Sequence, residues 1–137
     1  MQDRPNVDEL LEAVATFLQE DVIPNTSGRI SFHARVSANV LQMIRRELAN
    51  EERDLAEEWA GLNSLLGYEE RPASLSALRA RIHERNTELA ERIRNGDADE
   101  GDYRRDVIAH LRRMALLRLD VTDPKLAAAS RRESGTA

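Results

Sequence analysis

Residues 28–48 read GRISFHARVSANVLQMIRREL, a largely apolar helical run interrupted by the polar residues His33, Arg35 and Asn39. The first question is whether an imidazole, a guanidinium and a carboxamide so close in sequence form a site. At about 100° per residue, His33 and Arg35 point roughly 160° apart around a helix and cannot easily grip one small substrate together. Arg35 and Asn39, four residues apart, are neighbours on one side and can share a partner group. His33 is expected to be a core histidine donating to another helix. Asn39 is expected to fix helix register, because a buried carboxamide must be hydrogen-bonded. Leaving its partner unsatisfied would cost roughly 1–3 kcal/mol.

Other chemistry-bearing residues are thinly spread. His33, His83 and His110 are the only imidazoles, none pairs with another at helical spacing, and HERN at 83–86 is not HExxH. The ExxH pairs that build di-iron sites in helical bundles are lacking too, so no metal and no cofactor are expected. Cysteine is absent, which excludes disulfides, thiolate metal ligands and a thiol nucleophile. No nucleophile-elbow serine and no phosphate-binding glycine loop occur. A glycosidase-like carboxylate pair stays open in a chain so rich in acids, but a solvated acidic face accounts for the same residues.

The 25 acidic residues exceed the 20 basic ones, for a net charge of −5, and aromatics make up 4%. That balance argues against a dedicated nucleic-acid binder, which needs a basic surface or stacking platforms. The opening MQDRPNVDELLEAV is acidic where a signal peptide would be basic, and no apolar run approaches a membrane span. A soluble, cytoplasmic protein is expected.

The elements that must position these residues are helices, because 3.6-residue periodicity recurs and alternating strand patterns are missing. The first helix is expected to start at Asn6 as N-cap, with Glu9 completing a capping box. Val7, Leu10, Leu11, Val14 and Leu18 share its apolar face, and DVIPNTSG reads as a loop. A second helix, from about Ser31 to Ala49, is apolar over more than half its circumference: Phe32, Val36, Val40, Met43 and Ile44 on one side, Ile30, Ala34, Leu41 and Leu48 on the other. Such a helix is expected at the centre of a bundle.

A third helix is expected over Glu51–Leu66, with Leu55, Trp59, Leu62 and Leu66 inward. The fourth runs from a Ser74 cap to about Asn95, with Asn86 inside its apolar stripe and Gly96 as the stop. The fifth carries Val107, Leu111, Met114 and Leu119 and ends at Asp123-Pro124. The expected product is all-α, a single antiparallel bundle of four to five helices over residues 1–126 with the second helix central, followed by a disordered tail over 127–137.

MQDRP, the LLEAV-x-x-FL helix and GR-x-x-FHARV-x-AN together resemble a family of small bacterial proteins catalogued as a domain of unknown function. The ending LDVTDPK is similar to the family's close, with Asp123 where asparagine is more usual. The matching motif residues are Gln2, Asp3, Arg4, Pro5, Arg29, Phe32, His33, Arg35 and Asn39. Members are often encoded beside a kinase-fold protein resembling aminoglycoside and choline phosphotransferases and another resembling acyl-CoA dehydrogenases. The resemblance therefore implies a non-catalytic accessory subunit for a phosphotransferase acting on hydroxyacyl-CoA, in acyl-CoA and hydroxy acid catabolism. On that reading Arg4 and Arg35 are the expected partner contacts, since arginine pairs bidentately with carboxylate and phosphate. Phe32, His33, Asn39 and Asn86 are assigned to the core, and Asp3 and Arg4 are alternatively a clip for the N-terminus. Two other readings stay open: a self-associating helical protein forming a homodimer, and an acyl-CoA binder or enzyme centred on His33.

Overall fold

The computed structural model describes residues 4–135, and every regular element among them is helical. The order is α1 (Val7–Phe17), a π-helical turn (Leu18–Val22), α2 (Ile23–Asn25), α3 (Gly28–Leu66), α4 (Leu75–Arg94), α5 (Gly101–Thr122) and α6 (Pro124–Ser134). The all-α class follows directly from the periodicity. The single bundle does not: the chain divides into two compact units, Met1–Ala49 and Asn50–Ala137. Helix α3 contributes its beginning to the first and its remainder to the second.

In the first unit, α1 begins where the sequence predicts. The Asn6 carboxamide accepts from the Glu9 N–H at 2.9 Å, and the Glu9 carboxylate accepts from the Asn6 N–H at 2.8 Å. The expected loop DVIPNTSG is mostly helical instead. Pro24 lacks an N–H and crowds the preceding turn, and the chain widens there, with the Ile23 N–H donating to the Leu18 carbonyl five residues back. Thr26 Oγ1 and Asn25 Nδ2 then donate to the carbonyls of Val22 and Asp21, so side chains take over the last turn's acceptors.

Helix α3 packs on α1 through small residues, with Ser31, Ala34, Ala38 and Ala15 buried. Arg45 closes the pair from the side. Its Nε and Nη2 donate to the two Asp8 carboxylate oxygens at 2.6 and 2.9 Å, and Glu12 lies at 3.4 Å. These bonds hold the Asp8 carboxyl below the usual carboxylate range. The expected central helix is therefore not central. Phe32, His33 and Asn39, assigned to a core from sequence, are exposed, because α1 covers only the small-residue face of α3.

The predicted break between the second and third helices is also absent. No proline occurs between Arg29 and Leu66, and Gly61, the one glycine there, does not take the left-handed backbone that ends a helix, so α3 runs on to Gly67.

The second unit holds the large apolar core. Trp59, Leu62 and Leu65 of α3, Leu78, Ile82 and Leu89 of α4 and Val107 of α5 pack together, with Leu55 and Tyr103 against them. The predicted stops are correct here. Gly67 and Gly96 take φ of 100° and 90°, the left-handed conformation that glycine adopts freely after a helix. Ser74 caps α4 by accepting from the Ala77 N–H at 3.2 Å.

The tail expected to be disordered is helical up to Ser134. Asp123 caps α6 by accepting from the Leu126 N–H at 3.0 Å, and Pro124 sits in the first turn, where its missing N–H costs nothing. Ala127 is fully buried and Arg131 forks onto Asp120 of α5, with Nη1 to Oδ1 at 2.7 Å. Counting bulky residues misses such a helix, because alanine packs by close approach and has the highest helix propensity.

Candidate functional site

Two open apolar rows on the first unit stand out. On α1, Val7, Leu10, Val14 and Phe17 are each more than half exposed, whereas Leu11 and Leu18 are half-buried beside the covered Ala15. The apolar arc of α1 is thus wider than the face α3 covers. On α3, Phe32, Val36, Val40, Ile44 and Leu48 repeat every fourth residue and are 38–61% exposed. At 100° per residue the middle of this row, Val36, Val40 and Ile44, faces away from the buried Ser31, Ala34 and Ala38, while the row as a whole winds about 160° around α3 from Phe32 to Leu48. Contiguous apolar surface of this kind marks an interaction site more often than a scatter of single side chains does.

The motif residues sit beside these rows and are not gathered into a cavity. His33 is exposed on α3, edge-on to the Phe32 ring with centroids 5.5 Å apart, and its Nε2 accepts from Arg29 Nε at 3.4 Å. Asn39 and Arg35 are exposed on the same helix. Arg4, just before α1, is exposed and lies 3.9 Å from Glu9 of that helix. Pro5 is exposed beside it. Gln2 and Asp3 lie outside the described residues. Asn86 is half-buried and donates to Glu58 Oε1 at 2.7 Å, joining α4 to α3.

The buried polar groups of the second unit are ones the sequence reading passed over. Arg85 is fully buried. Its guanidinium covers the end of α3, donating from Nη2 to the carbonyls of Leu62 at 3.3 Å and Gly67 at 2.5 Å, and from Nη1 to Asn63 Oδ1. It lies 5.0 Å from the Trp59 ring centroid. A cation is favoured there by the negative end of the helix dipole and by the aromatic face. Glu69, nearby, is held below the usual carboxylate range by Arg81, which bonds it directly, and by the charge of Arg85.

His110 of α5 is 5% exposed, and neither ring nitrogen has a partner. Its ring lies against Gly61 of α3, where a Cβ would come within 2.2 Å of Nδ1. Burial pushes its pKa below the ordinary histidine value, with Glu58 opposing and Arg113 reinforcing. The spacing Leu78, Ile82, Arg85, Leu89 and the spacing Val107, His110, Met114 were the signals that place both residues in the core.

An open cleft of about 340 Å³ in the same unit is lined by Arg53, Glu57, Arg113, Leu116 and Asp120, among others. Arg53 is already paired with Asp54, and Asp120 with Arg131. Among the described residues, no group of three or more His, Cys, Asp or Glu could hold a metal ion. No described helix is long and apolar enough to cross a membrane.

No curated protein and no solved structure matches the chain. A family model does, over residues 24–126, a span that includes the α3 row and the core of the second unit. The chain therefore belongs to the family described as a domain of unknown function, DUF6285.

Proposed function

We propose that this chain is a non-catalytic accessory subunit that docks onto another protein through the open apolar row of α1. The observation that carries this reading is the exposure of Val7, Leu10, Val14 and Phe17 on a helix whose opposite face is already packed. Burying four half-exposed side chains of this size is worth roughly 3–6 kcal/mol gross. Association costs of about 4–15 kcal/mol exceed that, so the row forms the apolar centre of a larger contact. Arg4 and Arg35, both exposed, supply polar contacts to partner carboxylates.

The family resemblance set out above supports a phosphotransferase-family kinase acting on hydroxyacyl-CoA as the partner. The kinase would carry the nucleotide and metal sites, in the cytoplasm. Co-expression with the kinase encoded beside this chain tests the reading. The two should co-purify, and Leu10→Glu with Val14→Glu should abolish co-purification without changing the melting temperature of the isolated chain. A kinase that is soluble, active and elutes separately from this chain overturns it.

A further inference from the structure

The second open row, on α3, is symmetric about its own middle. Phe32, Val36, Val40, Ile44 and Leu48 are spaced four residues apart about a midpoint at Val40. Turning the helix end over end about that midpoint exchanges Phe32 with Leu48 and Val36 with Ile44 and returns Val40 to itself. The row is therefore complementary in size to its own antiparallel copy. Side chains in an i±4 row form the ridge that packs into the grooves of a like helix at a crossing angle of about −50°.

The charges in this arc specify the same arrangement. Between residues 29 and 48 the arc holds two full charges, Arg29 at one end and Glu47 at the other, both exposed. His33 lies at the Arg29 end, within its hydrogen-bonding reach. A parallel pairing would stack Arg29 on Arg29 and Glu47 on Glu47. An antiparallel pairing brings Arg29 and His33 of each copy towards Glu47 of the other, at both rims of the apolar contact. Like charges across an interface disfavour the first and complementary ones favour the second.

We propose that the α3 row is a homodimer surface, with two copies of this chain crossing antiparallel about a two-fold axis at Val40. The contact is isologous, as two-fold symmetry requires. It uses a different face from the α1 row, so the dimer and the kinase partner stand or fall separately. Five half-exposed side chains offer on the order of 150–300 Å² of apolar area per copy. A standard interface buries about 800 Å² per partner. The contact is accordingly smaller than that of a stable dimer, and the dimer is a weak, reversible one.

Sedimentation of the full chain from about 1 to 200 µM should follow a monomer–dimer equilibrium. Glu47→Arg should weaken dimerisation about tenfold, and adding Arg29→Glu should restore it, with the melting temperature unchanged in both. Because the chain has no cysteine, Val40→Cys reports the axis directly. Under mild oxidation it should cross-link into a covalent dimer much faster than Thr16→Cys on α1. A chain that stays monomeric across the range overturns the proposal. So does a Glu47→Arg variant that dimerises like the parent, or a Val40→Cys variant that cross-links no faster than Thr16→Cys.

Discussion

Gly61→Ala is the sharpest probe of the second unit, because two physical effects of known sign oppose each other there. Replacing glycine by alanine inside a helix ordinarily stabilises by about 1 kcal/mol. At Gly61 the added methyl would stand 2.2 Å from His110 Nδ1, on a residue that is 5% exposed. Overpacking a filled core costs about 1–3 kcal/mol. The net expectation is a change between neutral and about 2 kcal/mol destabilising, or a melting temperature lowered by up to roughly 10 °C for a unit of this size. Removing the ring first reverses the sign. In a His110→Ala background the clash is gone, and Gly61→Ala should stabilise by about 1 kcal/mol. The coupling between the two positions should be about 1–3 kcal/mol.

Urea unfolding followed by the fluorescence of Trp59, the chain's one tryptophan and a member of this core, measures all four corners of the cycle. If Gly61→Ala stabilises the parent as much as it stabilises His110→Ala, the close approach of α5 to α3 is refuted.

Arg85→Leu should cost about 3 kcal/mol or more in the same assay, because the carbonyls of Leu62 and Gly67 and the Asn63 carboxamide all lose a buried donor. Arg85→Lys should recover only part of this, since an ammonium cannot fork across three acceptors. Stability should fall with acidification below the ordinary histidine value of about 6.5, because the unfolded chain takes up a proton there that buried His110 resists. The slope should reach at most about 1.4 kcal/mol per pH unit until the folded pKa is passed, and His110→Leu should flatten it. The carboxylates held low by arginine, Asp8 and Asp120, act in a separate window below about pH 3.8. Asp123→Ala should remove about 1 kcal/mol from α6 alone, seen as faster amide exchange over residues 124–134 while α4 is unchanged.

The sequence by itself determined the helical class and the elements whose ends are written in local chemistry. The Asn6–Glu9 box, the Ser74 cap, Gly67, Gly96 and Asp123-Pro124 act within a turn of their own positions, so no knowledge of distant residues is needed to place them. The boundary between Ala49 and Glu51 was misplaced because an apolar stripe that drifts around a helix looks like the end of one helix and the start of another. Only the tertiary structure decided which apolar residues are covered. His33, Phe32 and Asn39 are exposed because α1 meets α3 through Ser31, Ala34 and Ala38, and a wheel cannot say which of two apolar faces a neighbour will choose. Arg85 and His110 are buried for the converse reason. Their partners, the end of α3 and the missing Cβ of Gly61, lie far away in sequence and come into register only when α3, α4 and α5 pack. The GRISFHARVSANVLQMIRREL segment that first suggested an active site buries Ser31, Ala34 and Ala38 and leaves His33, Arg35 and Asn39 exposed on its other sides.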